Sequence, residues 1–167
     1  VSKLIKYENK KSFHRRYGYD LIASIISDNS TVLDVGYGNG EQLRTVKNCQ
    51  RFGCDFTGKE VPMVETKKCD IEKGWLPYKD ECFDYVILSQ VLEHCKEVYH
   101  IKKEVNRVLK VGGMLIVGVP NLATWHDRLA LLFGMQPFEI KVESGHVRGF
   151  TSGALNKFMT AHGGFKV

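Results

Sequence analysis

No run in the chain approaches the roughly 20 consecutive apolar residues of a membrane-spanning helix; the longest candidate, Met114 to Val119, has strand length. No membrane span is therefore expected. No C-x-x-C pair occurs among the five cysteines, Cys49, Cys54, Cys69, Cys82 and Cys95, and their odd number argues against a closed disulfide framework. The cysteines read as small reduced side chains, no metal site is expected, and without a secretory leader pattern the expected location is the cytoplasm. No G-K-[ST] follows the chain's glycine-rich loop, which excludes a P-loop. Repeats and low-complexity tracts are also missing.

What is present is an ordinary globular composition, 43% hydrophobic and 26% charged over 167 residues, which suits one domain spanning residues 1–167. The net charge of +5 is concentrated at the start: Lys3, Lys6, Lys10, Lys11, Arg15 and Arg16 oppose only Glu8. Without interleaved aromatics or a recognition motif, residues 1–12 read as a solvated basic lead-in, and no nucleic-acid partner is expected.

Apolar residues Tyr17, Leu21, Ile22, Ile25 and Ile26 recur at helical spacing from Phe13 onward. Buried strands are predicted at Thr31–Val35, Cys54–Gly58, Phe83–Ser89 and Met114–Val119, with a brief one near Cys69–Ile71. Between them, helices are predicted at Glu41–Gln50, Val61–Lys67, His94–Lys110 with Gly112-Gly113 as its stop, Leu122–Phe133 and Thr151–His162. Strands alternating with helices predict an α/β fold, a doubly wound, mainly parallel Rossmann-like sheet with helices on both faces. Ligands of such sheets sit at the carboxyl ends of the strands.

At such an end lies "TVLDVGYGNGEQLRTV". A dinucleotide fingerprint, G-x-G-x-x-G, needs a third glycine where Glu41 stands after Gly36, Gly38 and Gly40. Asp34 and Glu41 would repel a pyrophosphate and attract a cation. An adenosine ligand carrying an ammonium or sulfonium group, such as S-adenosylmethionine, suits these charges. Its ribose needs an acid about 20 residues further on, which points to Glu60; the alternative is a surface acid capping a helix from Val61. Asp70, with Ile71, is placed to meet adenine, the alternative being a turn acid.

These residues resemble the class I S-adenosylmethionine-dependent methyltransferases with a D-x-G-x-G-x-G loop. "VLDVGYGNG", "LPYKDECFDYVILSQVLEH" and "LKVGGMLIVGVPN" follow in that family's order, and "FDYVILSQ" with "VPNLATWHDRLALLFGMQP" is similar to MetW-like methyltransferases. The resemblance implies that Asp34, Gly36, Gly38 and Gly40 hold the methionine end of the cofactor. It implies Glu60 at the ribose, Asp70 and Ile71 at adenine with Val61 alongside, and Gln90 beside the sulfonium. Tyr37 departs from the small residue usual in this loop and either packs on the cofactor or narrows its pocket.

Methyl transfer from an activated sulfonium relies on positioning, so a base is optional; His94 is the candidate, against a plain helix-start histidine. No D/N-P-P-Y run follows "FDYVILS", which favours a small-molecule acceptor. The resemblance puts the acceptor pocket after the fifth strand, in a loop over residues 134–150, with Trp125, His146 and Arg148 as candidate contacts. Arg148 is a candidate for recognising a carboxylate or phosphate, although a lone arginine is more often structural or solvated. Leu129 to Phe138 is apolar enough for a lid, a membrane-touching surface or core. The chain stops near Phe165–Val167, where the family enters a final hairpin. This predicts a poorly covered edge on the fifth strand, a trimmed or incomplete domain, or a homodimer through that edge. A catalytically idle cofactor-binding protein that regulates a partner is the competing expectation.

Overall fold

A computed structural model describes residues 3–8, 15–161 and 165–166. Among the described residues six strands form one sheet in the order β1-β6-β5-β2-β3-β4, with each pairing parallel. They are β1 (Lys3–Glu8), β2 (Thr31–Val35), β3 (Gln50–Asp55), β4 (Glu65–Lys68), β5 (Phe83–Ser89) and β6 (Leu109–Val119). The helices are α1 (Arg15–Ile25), α2 (Glu41–Thr45), α3 (Val98–Val108), α4 (Trp125–Leu132) and α5 (Ser152–Thr160).

The period of two along the strands sorts their side chains onto two faces. Val32, Ile87 and Ile116 pack with Ile22 and Ile26 at one face. Leu33, Val35, Val86, Leu88, Leu115 and Val117 point the other way, onto Val98, Ile101 and Val105 of α3 and Leu155 and Met159 of α5. Helices therefore cover both faces, as the alternation of strands and helices predicts. Complete burial of each such side chain contributes about 1.5–3 kcal/mol, which makes the central strands a rigid base for the loops at their carboxyl ends.

Several boundaries differ from the sequence reading, each for a physical reason. The basic lead-in contains β1, which runs parallel to β6 from the pair Lys3↔Met114 to Glu8↔Val119. An open edge carries a row of unpaired N–H and C=O groups, and β1 satisfies them. The expected bare edge on the strand "MLIVGV" is thus covered from within the chain, and the homodimer loses its rationale. The start of the first helix at Phe13 lies outside the described residues.

α2 ends at Thr45 because Gln50, Arg51 and Phe52 are drawn into β3 opposite Thr31, Val32 and Leu33. The helix expected over 61–67 is a turn followed by β4: Pro62 lacks an N–H, Met63 takes φ 62°, and Thr66 pairs with Gly53. Lys68 ends β4, so the strand predicted at 69–71 is a turn. The long helix from His94 divides into a 3-10 turn, Leu92–His94, and α3. Gly112 and Gly113 lie inside β6 rather than stopping the helix. Thr124 and Thr151 cap α4 and α5, each hydroxyl accepting a backbone N–H.

A buried ion pair pins the loop between β4 and β5. Glu104, with a fully buried side chain, receives Arg107 at 2.8 Å. The same guanidinium donates to the carbonyls of Leu76 (3.0 Å) and Tyr78 (2.9 Å), and Glu104 accepts the Leu76 N–H at 2.9 Å.

Candidate active site

β2 delivers Asp34 to the end of the sheet, and the loop that follows needs its glycines. Gly36, Gly38 and Gly40 have φ of 77°, 54° and 71°, the left-handed region that side chains with a Cβ avoid. At two of them space is missing as well: a Cβ on Gly36 would stand 2.5 Å from the Val91 side chain, and one on Gly40 2.6 Å from Val61. At Gly38 a Cβ would meet nothing within 4 Å, so this glycine opens toward space.

That space is a cavity of about 630 Å³ lined by Asp34, Gly36, Tyr37, Gly38, Gln42, Gln90, Glu93, His94 and His146, among others. The size suits a small-molecule or cofactor site. Asp34 is 3% exposed, and its burial, reinforced by the Asp55 carboxylate, pushes it up to about 7. A cation brought to it would favour the ionised form and repay that desolvation. Gln42, on α2, lines the same cavity, and its buried Nε2 has no hydrogen-bond partner in the structure.

Tyr37, the unusual residue of the loop, is 5% exposed and packs with Leu43 and Val61. Its hydroxyl donates to the Lys59 carbonyl at 2.5 Å. It thus ties the loop to the segment after β3, and the Val61 side chain stands against Gly40.

The acid that ends the second strand of the unit is Asp55, not Glu60. Its Oδ2 accepts the Gly38 N–H at 3.1 Å, and its Oδ1 accepts the Thr57 N–H and hydroxyl at 2.8 and 2.7 Å. Glu60 is exposed in the following loop and does not line the cavity. Asp70 closes its own turn: Oδ1 accepts the Glu72 N–H at 3.1 Å, and Lys73 at 3.2 Å from Oδ2 holds the carboxyl below its ordinary range. Ile71 packs against the main core. Neither Asp70 nor Ile71 lines the cavity.

The opposite wall is built after β5. Gln90 has φ 58° and an exposed side chain, and its N–H donates to the Gly118 carbonyl at 2.7 Å. In the 3-10 turn, Glu93 is 1% exposed, and neither of its carboxylate oxygens has a hydrogen-bond partner. Desolvation by burial raises its pKa. His94 and His146 meet edge to face with ring centroids 4.7 Å apart.

Arg148 does not face the cavity: its Nε donates to the Cys95 carbonyl at 3.0 Å and its Nη2 to that of Lys96 at 2.8 Å. These bonds clamp the 146–148 segment to the end of the 3-10 turn. Trp125 is 63% exposed, lies beside His126 and does not line the cavity. The apolar segment from Leu129 is not core, with Leu132 and Phe133 78% and 69% exposed. Sequence reasoning missed Gln42, Asp55 and Glu93. Asp55 was findable as the acid that follows Phe52 and Cys54 at the end of β3; Gln42 and Glu93 carry no local signal.

The fold with this cavity is that of S-adenosylmethionine-dependent methyltransferases. A methyltransferase of Thermotoga maritima superposes with a TM-score of 0.63 at 24% identity, covering 83% of this chain and 66% of that one. The YcgJ protein of Bacillus subtilis gives 0.65 at 21% identity, with 88% and 68% covered. More specifically, residues 16–141 match the family model described as "Methionine biosynthesis protein MetW", and the chain belongs to that family.

An uncharacterized protein of Methanocaldococcus jannaschii is 33% identical over 119 residues, 70% of this chain and 46% of that protein. Mouse probable tRNA methyltransferase 9B is 31% identical over 96 residues, 54% of this chain and 22% of the relative. The chain spans less than half the length of these curated relatives. Among the described residues no helix is long and apolar enough to cross a membrane.

Proposed function

We propose that this chain is an S-adenosylmethionine-dependent methyltransferase acting on a small-molecule acceptor. The observation that carries the reading is the buried Asp34 carboxylate, which opens with the Gly36–Gly38 turn onto the same cavity as Gln90, His94 and His146. S-adenosylmethionine fits the residues present. An unpartnered buried Gln42 Nε2 can donate to its carboxylate, Asp34 can hold its ammonium, and the open face of Gly38 admits a close approach.

The bound cofactor supplies a methyl group already activated on sulfur. The chain's own residues have to orient it, exclude water and manage charge. In this reading Asp55 takes the ribose role that the sequence assigned to Glu60: it stands beside the cavity's lining rather than in it, but its Oδ2 accepts the N–H of the lining residue Gly38 as its one hydrogen bond within the protein and retains room for a hydroxyl. Asp70 and Ile71, outside the cavity's lining but in the turn that the Cys69 N–H ties to the Asp55 carbonyl at 3.0 Å, keep the adenine side, with Val61 acting only through Gly40. Gln90 stands beside the transferring methyl, and His94 accepts a proton from an acceptor that has one to lose. Trp125 and Arg148 take no part.

Calorimetric titration with S-adenosylmethionine, followed by transfer of labelled methyl into a metabolite extract, tests the proposal. Saturable binding with label in a small molecule supports it; binding without any transfer supports an idle regulatory protein instead. Transfer RNA belongs in the same experiment as a second acceptor, because curated relatives from mouse and Arabidopsis thaliana are named as tRNA methyltransferases. Label appearing in RNA alone would overturn the small-molecule acceptor.

A further inference from the structure

The cavity's far wall holds a group of side chains that the methyltransferase reading leaves unexplained. Glu93, His94 and His146 each offer a ligand atom, and these atoms lie within 4.8 Å of one another. The carboxylate is the unusual member, being 1% exposed with both oxygens lacking any hydrogen-bond partner in the structure. A buried carboxylate without partners is costly, and either a proton or a bound cation relieves it. Among the described residues no lysine or arginine forms an ion pair with it.

The two histidines are prepared for the same task. The Nδ1 of His94 lies 3.1 Å from the Gly145 carbonyl, and that of His146 lies 2.5 Å from the Glu139 carbonyl. A carbonyl oxygen only accepts, so each Nδ1 carries the proton and each Nε2 presents a lone pair. A backbone carbonyl fixing the tautomer from behind is the usual outer shell of a metal-bound histidine. The two segments are also locked together, since the Val147 N–H donates to the Glu93 carbonyl at 2.8 Å.

We propose that Glu93, His94 and His146 bind a divalent transition-metal cation on the acceptor side of the cavity, with open coordination positions for an oxygen of the acceptor. Two imidazoles and one carboxylate suit zinc, manganese, iron or cobalt better than calcium or magnesium. Ligands about 2.1 Å from a shared tetrahedral ion stand about 3.4 Å apart, so closure by at most about 1.4 Å completes the site. All three residues line the cavity that holds Asp34 and Gly38, so the open positions face the proposed cofactor. With a cation present, His94 is a ligand rather than a free base, and the ion takes over the lowering of a hydroxyl's pKa. Only the acceptor part rests on the methyltransferase reading; binding of the cation does not.

The test is titration of the purified, chelator-treated chain with Co²⁺ and Zn²⁺ salts, read by calorimetry and by visible cobalt absorption, with no cofactor added. One equivalent should bind, with a ligand-field spectrum. Affinity should fall at least about 100-fold in both Glu93→Gln and His146→Ala; the second variant changes only a part-exposed residue and guards against misfolding of the first. Absence of saturable binding, or binding unchanged in both variants, overturns the site. Failure of S-adenosylmethionine to bind would sink the methyltransferase reading and leave the cation result standing. Labelled methyl transfer that is indifferent to chelation would overturn the acceptor's contact with the cation.

Discussion

The two walls of the cavity are made differently. The wall carrying Asp34 hangs from the centre of the sheet: Val32, Leu33 and Val35 are at most 1% exposed, and the loop beyond them is fixed by glycine geometry and by bonds to β3. The wall carrying His146 comes from two 3-10 turns, Leu92–His94 and Val142–Ser144, and the loop that follows, with Val142 85% exposed and the neighbouring α4 turning Leu132 outward at 78%. Its hold on the rest of the molecule is local, through Glu93, Arg148 and the histidine Nδ1 atoms. A site with one rigid and one loop-built wall keeps a common ligand constant while the second ligand varies.

If the packed framework behind the first wall is rigid, breaking it should cost much more than changing the second wall. The largest effect is expected from Arg107→Leu, which strands the buried Glu104 carboxylate and should destabilise by about 3–5 kcal/mol in denaturant unfolding. Gly36→Ala forces a positive φ and an overlap with Val91, and about 2–4 kcal/mol should be lost in the same assay.

Smaller changes should appear in binding. Asp55→Asn weakens a charge-assisted hydrogen bond worth about 1.5–3 kcal/mol, so cofactor affinity should fall roughly 10–100-fold by calorimetry, while Glu60→Gln leaves it unchanged. On the second wall, Leu132→Ser should shift stability by less than about 0.5 kcal/mol, because nothing buried is lost. A large loss there would mean that the apolar face is covered in solution.

The β2 strand and its loop were legible because their signals are local: an apolar run, an acid, and glycines at fixed spacing. The next strand was misplaced because Gly53 reads as a breaker. It lies within β3, where a Cβ would stand 2.6 Å from the Tyr37 ring, so the glycine marks a close approach rather than an end. That shift moved the strand's last residue and drew attention to Glu60 in place of Asp55.

Gly112 and Gly113 misled in a similar way. Gly112 takes φ 83° and Gly113 approaches the Lys110 and Asp84 carbonyls, beside a register shift between Phe83 and Tyr85. They belong to a bulge in β6 rather than to a helix stop. The Glu93–His94–His146 group had no local signature, since folding brings His146 to the turn from a loop beyond β6. The strand in the basic lead-in was hidden by its charge: composition described its solubility and was silent about the edge it fills.

The central claim is that the loop after β2 binds a cationic adenosine ligand through Asp34. Without ligand, Asp34 keeps its proton up to about 7 in the folded chain, while the unfolded chain releases it near the ordinary 3.8. The unliganded fold therefore loses stability as pH rises through that window, and a ligand cation reverses the preference. Calorimetric titration from about pH 5 to about pH 8 should show S-adenosylmethionine affinity rising roughly tenfold per unit up to about 7 and then levelling, with the dependence absent and affinity much weaker in Asp34→Asn. Affinity that is flat with pH in the unaltered chain, or tighter binding of NAD than of S-adenosylmethionine, would contradict the claim.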